Sequence, residues 1–220
     1  MRINGLAMLV DSALRRVDDP HLNEYRSAII LGSLREDVSY VPVLGRVFEH
    51  WSLSHFYGPP WPGGFIPFVT PGPRLCGTYY FHRAVRAYRA GQKAGGFALL
   101  GRVAHLLSDM ACPVHVHRHV HDTDGFEWYV EAHARALCQL PEAPIPTADS
   151  PAQLIAALAR YTRQFPGDPT QHPLGRALRR RGLMRGLDKH QIADTARAII
   201  PVAIAHMAAL MDLYARRIRS

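Results

Sequence analysis

Imidazole and carboxylate side chains crowd into one stretch of the chain. Between Gly101 and His133 lie six of the 13 histidines of a 220-residue sequence. His105 and Asp109 stand four apart in a run, Phe97 to Ala111, whose apolar residues (Leu99, Leu100, Val103, Leu106, Leu107, Met110) recur with helical period. That spacing sets an imidazole and a carboxylate on one helix face, one turn apart. Pro113 is expected to end this helix. His115, His117, His119 and His121 follow with period two, which in an extended segment would project them from one side. A second helical run opens near Gly125 and carries Glu127 in its first turn. His105, Asp109, His115, His121 and Glu127 together offer the nitrogen and oxygen donors that suit zinc or a similar divalent metal. One histidine on an apolar face is a satisfied core residue, but packing does not explain acids and histidines bracketing a helix break.

These residues carry a resemblance. HLLSD followed by PVH, then a histidine and FEWYVE, resembles the zinc-dependent phospholipase C family, whose superfamily also holds the single-strand-specific zinc nucleases. The family pattern is a helical His-x-x-x-Asp, a histidine six residues after that aspartate, and a later histidine and glutamate opening the next helix. His105, Asp109 and His115 match in type and spacing, and Glu127 matches the glutamate. The last histidine departs: the better-known phospholipases place it four residues before the glutamate, where this chain has Thr123. His121 is the substitute, with His119 and Asp124 as alternatives. Upstream, Asp37 in Gly32-x-x-x-Glu36-Asp37 and His55 in His-Phe-Tyr stand where the family keeps its remaining ligands, with Glu36 an alternative to Asp37.

The resemblance implies two ligand sets. Asp37, His55, His105 and Asp109 would hold one Zn2+, and His115, His121 and Glu127 another with a coordination position left open. Asp109 would bridge them, and Asp37 would act as the catalytic base. An open position suits a catalytic zinc, which lowers the pKa of a bound water to about 7. Family members hold a third zinc through the first residue and a histidine of the first helix; no histidine precedes His21 here, so the count is two, or three. The implied activity is hydrolysis of a phosphodiester, with a phospholipid head group as first substrate class. The alternatives are a single-strand nuclease and a non-catalytic relative that binds metal or lipid.

The elements that must position these groups read as all-α, a single bundle-like domain over residues 1–220. Expected helices run from Ile3 to Val17, Asn23 to Leu31 with Gly32 as a stop, Leu44 to Ser54, Arg74 to Ala90, Phe97 to Ala111, Gly125 to about Leu140, Ala152 to Gln164, Leu174 to Met184, and His190 to Arg219 with a kink at Pro201. Asp149 or Ser150 is expected to cap the Ala152 helix and Asp188 the last one. No strand pattern emerges. Gly58 to Pro73, with six prolines and four glycines, reads as a stiff surface loop, an apolar rim able to hold an acyl chain or a base. His82, His133 and His206 read as surface or core residues rather than ligands.

The net charge is +8, and Arg160 to Lys189 holds eight basic residues against two acids. Such a face attracts an anionic membrane surface or nucleic acid. Three cysteines, Cys76, Cys112 and Cys138, form no disulfide framework. Cys112 and His115 make a C-x-x-H of a kind that binds metal, but without a second such pair the signal is weak, and Cys112 reads as a buried free thiol. No stretch reads as a membrane span, since His206 interrupts Ala198 to Leu210. Ile3 to Val10 reads as the start of an amphipathic helix and not as a signal peptide. The sequence leaves the oligomeric state open.

Overall fold

The computed structural model describes residues 1–35, 40–43, 46–49, 52–119, 124–171 and 173–220. Asp37, Glu36 and His121 lie outside the described residues. Among the described residues the fold is all-α apart from one small hairpin. Its helices are α1 (Ile3–Val17), α2 (Pro20–Glu24), α3 (Arg26–Leu34), α4 (Pro73–Arg89), α5 (Lys93–Asp109), α6 (Pro113–Val116), α7 (Gly125–Leu137), α8 (Pro151–Thr162), α9 (Pro173–Arg180) and α10 (Lys189–Arg219).

The apolar periodicity that predicts α1 also decides its packing. Leu6, Leu9, Val10, Ala13 and Leu14 form one stripe, and all are buried against α10, α7 and α3. α5 is apolar on nearly every side and is accordingly a central helix, packed between α3 and α4 and touched by α10 and α8. Where α3 and α5 meet, glycines let the backbones approach. A Cβ on Gly32 would stand 2.1 Å from the Ala98 oxygen, and one on Gly101 2.1 Å from the Ile29 oxygen. Gly32 therefore lies inside α3 as a packing residue and does not stop the helix.

α10 is the longest element. Asp188 caps it in a box with Gln191, satisfying amide donors that have no helical partner, and Pro201 lies inside the continuous helix. Length and composition make α10 long and apolar enough to cross a membrane, with a mean hydropathy of 1.7 in its most apolar window. His206 does not offset the surrounding Ala, Ile and Leu, so the expectation that nothing in the chain meets that test is corrected. The fold uses the helix as a core element, and 78% of that window is buried. Ser150 caps α8 by accepting from the Gln153 amide.

Three further expectations are corrected. The described part of Leu44 to Ser54 is not an α-helix: Tyr40–Val43 (β1) pairs antiparallel with Arg46–Glu49 (β2), with Val41 opposite Phe48 and Pro42 opposite Val47, and Ser52–His55 forms a helical turn of the 3-10 type. β-branched and aromatic residues at alternate positions favour a strand over a helix. The Asn23 helix divides at Tyr25, which is the C-cap of α2 and the N-cap of α3. α5 ends at Asp109, and Pro113 opens α6 instead of ending α5, the position where a missing amide costs least. The histidines at 115, 117 and 119 therefore do not share an extended segment or a common side.

Candidate metal centre

α5 delivers His105 and Asp109 from its last turn, and both are fully buried. Nδ1 of His105 lies 2.8 Å from the Ser33 carbonyl oxygen on α3. That contact turns Nε2 toward Asp109 Oδ2, 3.3 Å away. His55, on the turn before the proline-rich loop, puts Nδ1 2.7 Å from the same oxygen. The two imidazoles meet edge to face at 5.0 Å between centroids. His55, His105 and Asp109 thus converge with one ligand atom each inside a 4.8 Å sphere of mutual distances.

The second cluster forms where the chain reverses. α6 carries His115, whose Nδ1 lies 3.0 Å from the His55 carbonyl oxygen, and Phe56 stacks on its ring at 5.0 Å. Nε2 faces Glu127 Oε1 at 3.8 Å. Asp124 caps α7 by accepting from the Glu127 amide. Cys112, His115 and Glu127 converge as a second group with the spacing of metal ligands. The other histidines among the described residues belong to neither group. His117 contacts the Phe165 carbonyl through Nε2 at 2.8 Å and His119 by its ring, and neither is part of these groups. His82 is exposed, His133 stacks on Tyr129, and His206 contacts the Val202 carbonyl within α10.

The α-amino group of Met1 stands between the two clusters. It is buried 3.2 Å from Asp109 Oδ1 and 2.7 Å from Glu127 Oε1. Asp109 therefore turns Oδ2 to the two histidines and Oδ1 toward the Glu127 side. Burial would lower the pKa of the ammonium, but Glu127 and Asp109 outweigh it and hold the pKa well above its ordinary value. For Asp109 burial works in the raising direction, and the positive charge of His105, the Met1 ammonium, His115 and His55 overcomes it, so its carboxyl stays well below the usual range. Burial, together with Glu127, Asp109 and Asp124, pushes the Cys112 thiol well up against the opposing pull of the ammonium.

The chain start is pinned by Glu131, one turn beyond Glu127. Its carboxylate accepts from the Gly5 amide at 2.7 Å and the Asn4 side chain at 2.8 Å, and Arg2 stacks over Trp128 at 3.6 Å. The signal for this was present in FEWYVE: two glutamates four residues apart share a face, one for the cluster and one for the α1 terminus.

The donor set fits divalent metal. It is rich in imidazole and carboxylate, His105 and His115 are oriented by backbone carbonyls in the way metal-bound histidines are, and it already stabilises a buried cation between Asp109 and Glu127. Beside the clusters, not over them, lies a cavity of about 750 Å³ lined by Tyr57, Phe68, Val69, Gly72, Arg74 and Leu75. Tyr57 joins the two regions, since its amide donates to the His115 carbonyl.

No family model matches the sequence, and no curated protein matches it. Solved structures do resemble the fold. The alpha toxin from Clostridium absonum superposes with a TM-score of 0.70 at 13% identity, over 98% of this chain and 65% of that one. The alpha-toxin of an avian strain of Clostridium perfringens gives 0.69 at 12% identity, over 97% and 63%. The chain thus spans a little under two thirds of the length of each toxin chain, and the likeness is one of fold.

Proposed function

We propose that this chain is a zinc-dependent phosphodiester hydrolase of the phospholipase C type, acting on a phospholipid head group. The observation that carries the reading is the gathering of His55, His105 and Asp109 in one donor cluster and of His115 and Glu127 in a second, all of them residues that the motif pattern selects. The fold shared with the clostridial alpha toxins supports it.

In this reading His55, His105 and Asp109 hold one zinc, His115 and Glu127 contribute to a second, and Asp37 and His121 are assigned by the motif alone. The zinc ions, when bound, polarise the phosphoryl group and supply a nucleophile from water at neutral pH. The chain's own residues prepare that chemistry. The Ser33 and His55 carbonyls fix the ring orientations of His105 and His115. The low pKa of Asp109 keeps it anionic through the neutral range. Burial of both clusters removes competing water and strengthens each charge interaction. The Met1 amino group lies beside Asp109, which agrees with the place the resemblance gives to a first residue at a third metal. α1 supplies no histidine to share that role, so two zinc ions are assigned.

The loop favours a lipid substrate. Trp61, Ile66, Phe68 and Val69 are exposed there, joined by Leu75 and Tyr79 of α4. His55 to Ser108 contains no Asp or Glu, against six Lys and Arg. An apolar tip on an acid-free, basic surface suits an anionic phospholipid bilayer. A single-strand nuclease is the second reading, favoured by the exposed arginines Arg179 and Arg180 of α9 and by exposed rings able to stack on bases. One experiment separates them: zinc-loaded protein is offered phosphatidylcholine and single-stranded DNA in parallel, each with and without chelator. Chelator-sensitive release of phosphorylated head group is expected. Degradation of DNA alone would transfer the assignment to the nuclease, and no turnover of either would end the hydrolase reading.

A further inference from the structure

The motif pattern assigns nothing to Cys112, and the structure places it among the ligands. Its side chain is fully buried at the break between α5 and α6, three residues after Asp109 and three before His115. Its Sγ–H is directed at Glu127 Oε1, 3.5 Å away, the oxygen that also faces His115 Nε2 at 3.8 Å. We propose that Cys112 is a thiolate ligand of the second metal, so that sulfur, imidazole and carboxylate hold one ion. The inference rests on the metal-dependent reading above.

The distances support it. In a tetrahedral zinc site, bonds of about 2.3 Å to sulfur and about 2.0 Å to nitrogen or oxygen put S and O about 3.5 Å apart and N and O about 3.3 Å apart. The sulfur–oxygen separation here already equals the first value, and the nitrogen–oxygen separation exceeds the second by a shift a side chain absorbs. The local backbone explains how the thiol gets there. α5 stops at Asp109, the Cys112 amide donates to the Asp109 carbonyl, and extended backbone at Cys112 (φ −92°, ψ 118°) precedes Pro113. A residue before proline is held in that extended region, which fixes the direction of its side chain.

On coordination the S–H bond breaks, its electron pair forms the metal–sulfur bond, and the proton leaves to solvent. The ligand set becomes softer and more negative by one charge than imidazole and carboxylate alone. That favours zinc or cobalt over magnesium or calcium.

The test is cobalt substitution of the whole chain, read by absorption. Thiolate-to-cobalt charge transfer in the near ultraviolet is expected on loading with Co(II), unaffected by excess Mg(II), and retained in Cys76→Ser and Cys138→Ser. Cys112→Ser should abolish the band and weaken binding at the second site at least tenfold, while circular dichroism shows an unchanged fold. Cobalt bound without the band, or a band that survives in folded Cys112→Ser, would overturn the proposal. If Cys112→Ser fails to fold, Cys112→Ala with the same readout decides. Head-group release measured on the same samples keeps the two questions apart: release with no charge-transfer band removes the thiolate ligand and leaves the hydrolase, and a band with no release does the reverse.

Discussion

The Ser33 carbonyl lies 2.8 Å from Nδ1 of His105, and the α3–α5 crossing that makes this possible is a contact of glycines. A Cβ on Gly101 would come 2.7 Å from the Ser33 amide nitrogen and 2.9 Å from the Gly32 carbonyl carbon. The approach of two backbones is thus what aims a candidate ligand.

Gly101→Ala is expected to force that crossing apart. Alanine would gain roughly 1 kcal/mol of helix propensity, but the clash is with backbone, which cannot rotate away. Overpacking of this kind costs about 3 kcal/mol or more, so the net effect is destabilising. A melting temperature lower by about 5 °C or more, with weaker metal binding, is the expected result, and an unchanged or raised value would contradict it.

Asp109 turns Oδ2 to His55 and His105 and Oδ1 to the Met1 ammonium, which also meets Glu127 of the second cluster, and the proposed reading makes it the bridge. Asp109→Ala should therefore reduce metal content by more than one ion per chain, whereas His105→Ala should remove one and leave the His115 side loaded. Either variant should reduce phosphodiester turnover by more than about 100-fold, since even disturbing the groups that orient a ligand costs 10–100-fold. Equal metal loss in the two variants would show that Asp109 does not bridge.

Metal that binds the folded chain alone adds stability by mass action, about 2.7 kcal/mol when the free ion is at a hundred times its Kd. Chelator should lower the melting temperature by about 5 °C or more, and zinc should restore it. Calorimetry with and without chelator measures this directly, and superimposable traces would speak against a structural grip on the ion.

How much of this was legible beforehand follows from where each signal resides. Local patterns were readable: α1 follows from its apolar stripe, and His105, Asp109, His115 and Glu127 are close in sequence and were found together in space. Tertiary events were not. Gly32 looks like a stop because glycine weakens an isolated helix, yet its role depends on Ala98. Val41, Val43, Val47 and Phe48 belong to a hairpin so short that a helical reading of Leu44 to Ser54 competes with it. The period-two histidines would share one side only in an extended segment, but Pro113 is favoured at a helix start, and the resulting turn buries His115 while sending His117 toward Phe165. Met1 is 108 residues from Asp109, and no spacing rule reaches that far.

His206 gives a pH dependence outside the metal centre. Burial depresses its pKa, against a smaller opposing effect of the Val202 carbonyl. The folded state thus prefers the neutral ring. Its contribution to stability is present above the ordinary histidine pKa of about 6.5 and is lost as pH falls from there through the depressed folded value. His206→Leu should flatten the acid limb of a plot of stability against pH in urea unfolding, and an unaltered limb would rule this contribution out.

The exposed loop gives a binding prediction. Trp61 and Phe68 rings contact each other at 5.9 Å, and Arg118 ties the loop down by donating to the Gly64 and Trp61 carbonyls, each at 3.0 Å. A rigid apolar tip loses little entropy on insertion into a bilayer. Trp61→Ser with Phe68→Ser should reduce sedimentation with phosphatidylglycerol-containing vesicles about tenfold or more, as expected for the loss of two buried aromatic side chains, at unchanged melting temperature. Equal sedimentation of variant and parent would place the membrane-facing surface elsewhere.

The most direct test of the central claim is metal content per chain, by elemental analysis of protein purified without added metal or chelator. Two to three zinc ions per chain is the predicted result. Fewer than one ion, not restored by added zinc, would mean that the histidine and carboxylate clusters around Asp109 are not a working metal centre.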